Sequence, residues 1–352
     1  MALPIMTERF EDVWTIEECL GKGVYGHIFE VSHKSSQRAE AVKVLGICKD
    51  KLRQAAHTEA MIWSRIPQHK NIVKLHEIYQ DKNDMFLVME KCECNALSRL
   101  ARGFRIREVI PVFKQMLTSL AHLHSGSIAH RDIKLENFLF TGKKLECVKL
   151  CDFGFATFVS HGQDLKGVCG TPPYMSPEML TSTHNTKTDI WSMGVCFYFL
   201  LSGGCFPYES KERSAEAMKK AIIEGSQLTH FDAPKTITVE ARQLALTLLD
   251  RIATNRVTAA QALQQPLFRS ARCRGLSPTF SEQSTLASEQ ERQGCKLPQA
   301  ALSDNEDDDI PEDIILESPV RNMVAKKPIS AFVASKRCFQ LNPSEVPTFF
   351  EF

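Results

Sequence analysis

The sequence predicts an α+β fold of two lobes, a small sheet-rich lobe and a larger, mostly helical one, followed by a polar C-terminal tail. Three observations carry this expectation. Up to about residue 91 the apolar residues fall into short strand-like runs, broken by one helical stretch from Leu52 to Arg65. From Arg107 the pattern becomes helical, with Val109, Val112, Phe113, Met116, Leu117, Leu120 and Leu123 recurring at three- and four-residue steps. Beyond Phe268 the composition turns polar and then acidic. A chain of 352 residues with 43% hydrophobic content is long enough for two compact units and a tail.

Taken in order, Phe10 to Leu20 reads as a strand entering a glycine-rich turn, Gly21-Lys22-Gly23-Val24-Tyr25-Gly26-His27-Ile28. Glycines let backbone amides approach phosphates with no Cβ in the way. The same string opens dinucleotide-binding folds, but there a helix follows, whereas here Ile28 to Ser32 continues as a strand. Ala41-Val42-Lys43-Val44 is the next strand and sets Lys43 in an apolar surround, where an amine needs a partner or an exit to solvent. The candidate partner is Glu59 on the Leu52–Arg65 helix. Ile72 to Tyr79 and Met85 to Met89 complete a mostly antiparallel sheet, and Glu90, Lys91 and Cys92 lead on to the helical half.

The chemistry concentrates in His130-Arg131-Asp132-Ile133-Lys134-Leu135-Glu136-Asn137. An Asn stands five residues after Asp132, and Asp152-Phe153-Gly154 begins fifteen residues after that Asn. This is the spacing of a phosphoryl-transfer site. An acidic and an amide side chain hold magnesium over a triphosphate, and a separate carboxylate receives the proton of the attacking hydroxyl. Asp152 and Asn137 fit the metal roles and Asp132 the base.

On these motifs the chain resembles the eukaryotic protein kinases from about residue 10 to 268, with a small lobe to about 91 and a large lobe from 92. Cys169-Gly170-Thr171-Pro172-Pro173-Tyr174-Met175-Ser176-Pro177-Glu178 is close to the family's G-T-x-x-Y-x-A-P-E segment, with Ser176 in place of Ala. Thr188-Asp189-Ile190-Trp191-Ser192-Met193-Gly194 matches its D-x-W-S-x-G helix opening, and Arg256 its partner for Glu178. The resemblance implies that ATP and Mg2+ are used to phosphorylate protein hydroxyls. Lys43 would hold the phosphates and Glu59 would fix Lys43. Gly21, Gly23, Tyr25 and Gly26 would cover the nucleotide. Ile28, Ala41 and Leu139 would sandwich the adenine, beside Met89 and the backbone of Glu90 and Cys92. Leu75, Trp63, Phe153 and His130 would stack as a column anchored by Asp189. Lys134, with Thr171 bonding both it and Asp132, implies a serine/threonine kinase. The stretch from Leu123 to Asn137 and the Gly194 helix are most similar to the calcium/calmodulin-dependent group.

The resemblance also implies departures. The position that reads an arginine three residues before the target is Ala96, while the carboxylate for the minus-two position is kept as Glu136, so a weaker minus-three demand is expected. Phe155, just after Asp152-Phe153-Gly154, is expected to favour serine over threonine. The usual phosphate-accepting position before Cys169-Gly170-Thr171 falls on Gly167, which has no hydroxyl, so this segment is expected to work without phosphate. Ser160 in a loop of altered length is the alternative acceptor.

A net charge of +1 argues against nucleic acid or membrane as a partner. Twelve cysteines without a framework spacing read as reduced thiols, and Cys92-x-Cys94 lacks the second pair a zinc site needs. The N-terminus has no apolar signal core, position 2 is Ala, and the Met193–Leu201 run is too short to span a bilayer. A cytoplasmic protein, with the nucleus as a second compartment, is the expectation. Ser270 to Ala300 reads as a linker, and the acidic run from Ser303 to Asp309 lacks the glycine and glutamate of a calcium loop. The tail is a candidate site for a regulatory partner.

Overall fold

The computed structural model describes residues 3–22, 26–101, 106–142, 146–160, 163–208, 214–225 and 237–269. Gly23, Tyr25 and the whole tail lie outside these described residues. The chain opens with a short helix α1 (Phe10–Val13), then β1 (Trp14–Lys22), β2 (His27–His33), β3 (Ala39–Gly46), the helix α2 (Asp50–Arg65), β4 (Leu75–Gln80) and β5 (Asp84–Met89). These strands form one antiparallel sheet in the order β1-β2-β3-β5-β4. Two expected boundaries move. Phe10 starts a helical turn, because its ring stacks on Phe86 at 4.3 Å and meets Tyr79 edge-on, and β1 begins at Trp14. Ile72 to Lys74 precede β4, because their backbone is engaged elsewhere: Ile72 bridges Leu150, and the Val73 amide donates to the Leu150 carbonyl.

Helix α2 forms on a stripe of Ala56, Glu59, Ala60 and Trp63, spaced as one helix face and all buried. Glu59 is the exception on an otherwise apolar stripe, and its position is explained by Lys43 across the sheet. In β3, Lys43 pairs with Ile28 on one side and Leu87 on the other.

The larger lobe follows through β6 (Cys94–Asn95), α3 (Ala96–Ala101), α4 (Ile106–Ser125), β7 (Ile128–Ala129), β8 (Phe138–Thr141), β9 (Cys147–Leu150) and β10 (Thr157–Phe158). It continues with α5 (Pro177–Thr181), α6 (Lys187–Leu201), α7 (Ala215–Glu224), α8 (Val239–Leu248) and α9 (Ala259–Ala262). Every apolar residue expected on the α4 face, from Val109 to Leu123, is buried. Helix α6 is apolar all round and buried from Thr188 to Leu201, so it forms the centre of the lobe. Phe113 of α4 stacks on Phe197 of α6 at 3.9 Å, which ties the two helices together. Among the described residues no helix is long and apolar enough to cross a membrane.

Candidate active site

The loop from His130 to Asn137 runs between β7 and β8 and is fixed from below by Asp189, in the first turn of α6. The fully buried Asp189 carboxylate accepts from the His130 amide at 2.8 Å, the Arg131 amide at 2.8 Å and His124 Nε2 at 2.9 Å. Burial pushes this carboxyl up, but the His124 hydrogen bond and charge outweigh it and hold the group below the ordinary aspartate value. Its anchoring matters because Arg131 has φ 64° and Asp152 also has φ 64°. A non-glycine residue there costs about 1–3 kcal/mol and persists only where its surroundings hold it.

The Asp132 carboxylate is bracketed. Lys134 Nζ donates to Oδ2 at 2.7 Å, the Thr171 hydroxyl donates to Oδ1 at 2.8 Å, and Lys134 also reaches Thr171 at 2.9 Å. Asn137 Nδ2 donates to the Asp132 carbonyl at 2.8 Å, which locks the amide's orientation. Gly170 makes this closure possible: its φ is 96°, and a Cβ would lie 2.5 Å from the Arg131 carbonyl oxygen. The aspartate is thus held in one orientation by Lys134 from its own loop and by Thr171 from the stretch leading into α5.

Lys43 spans the cleft, donating to Glu59 at 2.7 Å and to Asp152 at 2.7 Å. Burial alone pulls the amine down, but Glu59 and then Asp152 outweigh it and keep it above the ordinary lysine value. Burial pushes the Asp152 carboxyl up, and the charge and hydrogen bond of Lys43 return it to below its ordinary value, so it is a carboxylate at neutral pH. The expected column is present. Trp63 and Phe153 lie 5.4 Å apart between ring centroids, as do Phe153 and His130, with Leu75 buried above and Asp189 below. Trp63 keeps its bulk inside by donating Nε1 to the Val73 carbonyl at 2.9 Å.

The residues expected to flank adenine lie as follows where they are described. Ile28 and Leu139 are half-buried, and Ala41 and Met89 are buried and pair across β3 and β5. Gly26 sits where the flap meets β3, and a Cβ there would come 2.1 Å from the Val44 carbonyl oxygen. Gly21 faces open space, so the folded chain itself sets no steric demand at that position. The Glu90 side chain turns away from the nucleotide side. It accepts from the Lys74 amide at 2.7 Å and from Lys149 at 2.8 Å, which leaves only its backbone for the pocket. The Cys92 thiol is pushed to about 12 by burial and then by Glu90.

Two contributors escaped the sequence reading, and a third, Ser176, was noted there without its role. His124 is the side-chain donor to Asp189 described above. Lys91 pairs with Glu30 of β2 at 2.5 Å and so ties the connection between β5 and β6 to the β2 strand. Ser176, where the motif has Ala, caps α5 by accepting from the Met179 amide and shares a hydrogen bond with Thr188 at 2.8 Å. Only the last left a trace, since Ser-Pro ahead of a Glu is a helix-start signal.

A divalent cation fits this donor set. Asp152 and Asn137 supply a carboxylate and an amide oxygen, and among the described residues no group of three His, Cys, Asp or Glu makes a protein-only cage. A magnesium-type site completed by phosphate oxygens has this sparse character.

Residues 14–268 match the protein kinase domain family. CDPK-related kinase 4 of Arabidopsis thaliana is 32% identical over 274 residues, covering 74% of this chain and 46% of that protein. Calcium-dependent protein kinase 10 of Arabidopsis thaliana is 33% identical over 273 residues, covering 75% and 49%. Calcium-dependent protein kinase 3 of Plasmodium berghei (strain Anka) is 33% identical over 269 residues, covering 75% and 48%. The chain spans about half the length of the curated relatives it matches.

Proposed function

Because the chain belongs to the protein kinase family, we propose that it transfers the γ-phosphoryl group of ATP, with Mg2+, to serine and threonine hydroxyls of protein substrates. The observation that carries the reading is the bracketed Asp132, held at 2.7 Å by Lys134 and 2.8 Å by Thr171 beside the Lys43–Asp152 pair. Magnesium supplies positive charge across the phosphate oxygens and would be held by Asp152 and Asn137. Asp132 accepts the proton of the substrate hydroxyl and orients it for in-line attack. Lys134 stands beside the same point and offsets negative charge developing on the transferred group. Lys43, kept protonated and fixed by Glu59, orients the phosphates. Most of the rate comes from this positioning and charge stabilisation, since little covalent work falls to the protein.

The same reading extends to selectivity and setting. Glu136, near the Tyr174 hydroxyl at 3.4 Å, is the carboxylate available to a basic residue before the target, while Ala96 is buried and uncharged. The tail is the proposed place for a regulatory partner, and twelve cysteines read as reduced thiols, with a net charge of only +1, support a cytoplasmic or nuclear setting. The test is transfer from ATP to a generic basic protein by the full chain and by Lys43→Met. The variant should lose most of its rate, and because it leaves the buried Glu59 carboxylate without its cation it should also melt lower, so both rates are read well below its melting temperature. Equal rates would remove Lys43, and with it this assignment, from the reaction.

A further inference from the structure

An open groove of about 700 Å³ is lined by the connection from α2 to β4 together with Glu90 and Lys149. Trp63 and Ile72 underlie it as buried residues, the part-exposed Ile66 and Leu3 give it an apolar floor, and its rim carries Arg65, Lys70, Lys74 and Lys149. Lys70 and Lys74 are exposed, and among the described residues neither amine has an ion-pair partner. Glu90, the only carboxylate lining the groove, is already engaged by Lys149 at 2.8 Å and by the Lys74 amide. The surplus positive charge is felt locally. His69 on the same rim is held below the ordinary histidine value by burial, then by His122, Lys70 and Lys149. A groove with this floor and rim fits an extended acidic peptide with apolar residues among its carboxylates.

The chain supplies such a peptide. Between Leu297 and Val320 it has eight carboxylates and no Lys or Arg, in the order Asp304-Asn305-Glu306-Asp307-Asp308-Asp309-Ile310-Pro311-Glu312-Asp313-Ile314-Ile315-Leu316-Glu317. The route to the groove is short. The kinase domain ends beside α4, where Lys114 donates to the Phe268 carbonyl. The next α4 residue, Gln115, accepts from Asn71, the neighbour of Lys70 in the chain. The stretch from 270 to 303 is long enough to reach the groove, at most about 110 Å of chain, and it makes the encounter intramolecular.

We propose that the segment Asp304–Glu317 of this chain docks into the groove, its carboxylates on Lys70, Lys74 and Arg65 and its Ile310 and Ile314 side on the apolar floor. The docked peptide lies on the connection from α2 to β4, just beyond the end of α2 that carries the buried Trp63. It therefore steadies the Lys43–Glu59 pair from behind, without entering the cleft. The docking itself does not require catalysis; only its consequence for rate rests on the proposed phosphoryl transfer.

Amide hydrogen exchange on the full chain tests it, comparing wild type, Lys70→Glu/Lys74→Glu, and that variant combined with Asp307→Lys/Asp308→Lys. Both lysines are exposed, so the variants should melt close to wild type. Exchange across residues 304–317 should be slower in wild type than in the lysine variant by about fivefold, the effect of losing two exposed ion pairs. The charge-swapped chain should recover the slow exchange. Three results would overturn the proposal: equal exchange in wild type and the lysine variant, no recovery in the swap, or a slowing that grows with protein concentration, which assigns the contact to a second copy.

Discussion

Replacing Arg256 by alanine should destabilise the kinase domain far more than a surface change, and the structure gives the size. The guanidinium is 1% exposed and makes bonds to four acceptors. It donates to both Glu178 oxygens at 2.6 and 2.8 Å, to the Lys187 carbonyl at 2.9 Å and to the Asp250 carbonyl at 2.7 Å. It also lies over the Trp191 ring at 4.9 Å. Alanine leaves the Glu178 carboxylate, only 15% exposed, without its cation. Breaking a pair of this kind costs about 3–5 kcal/mol, or about 10 °C in melting temperature for a domain of this size. The double variant Arg256→Met/Glu178→Gln, which removes both charges, should recover about half of that loss, because desolvation of the charged pair offsets much of its attraction. The assay is thermal melting at constant protein concentration. A single-variant shift below about 2 °C, the range of neutral surface changes, would refute the reasoning. The pair also has a pH signature. Burial pushes the Glu178 carboxyl up, but Arg256 outweighs it and holds the native value below 4.5. Its contribution to stability is therefore complete above 4.5 and is lost as pH falls through the lowered native value, a loss absent from the double variant.

Protein stripped of phosphate should keep its initial rate. Arg131 Nε donates to the Phe155 carbonyl at 2.8 Å, and Leu165 and His184 exchange backbone hydrogen bonds at 2.7 and 3.0 Å, so the segment is tied down without a phosphate. Loss of rate on phosphatase treatment, reproduced by Ser160→Ala, would reverse this reading. Phe155→Val should move a serine-over-threonine preference of a few-fold, about 1 kcal/mol in the transition state, towards threonine; an unchanged ratio counts against Phe155 as the selector. Cys151 should label slowly with iodoacetamide at neutral pH, at least about tenfold slower than exposed Cys19 and Cys48, because burial, then Asp152 and Cys92, push its thiol well above the ordinary value. Equal labelling would place the thiol in solvent.

The site was legible where chemistry demands fixed residue types at fixed spacing. Asp132, Asn137 and Asp152 could be found because metal and base roles tolerate few substitutes, and Lys43 because an amine in an apolar strand needs a counter-charge. The sheet was legible from its short strand-like apolar runs. The start of β1 was not, since nothing local shows that Phe10 will stack on Phe86, a contact set by tertiary packing. The same holds for Ile72, whose backbone pairs with Leu150 across the lobes. Lys91 and Glu30 stand far apart in the chain, and both are residue types that usually face solvent, so their pairing leaves no local signature. The seating of Trp63 depended on an acceptor, the Val73 carbonyl, that only the folded backbone supplies.

The central claim is that Asp132 is the base of a phosphoryl transfer, and the direct test is the initial rate for wild type and Asp132→Asn at saturating ATP and Mg2+, with nucleotide binding measured on both. Asparagine keeps the size of the side chain and can still meet Lys134 or Thr171, but it cannot take the proton. The account expects nucleotide affinity within about threefold of wild type and a rate lower by about 10²–10⁴-fold, the usual contribution of a positioned base. Equal rates in the two proteins, with binding intact, would contradict it.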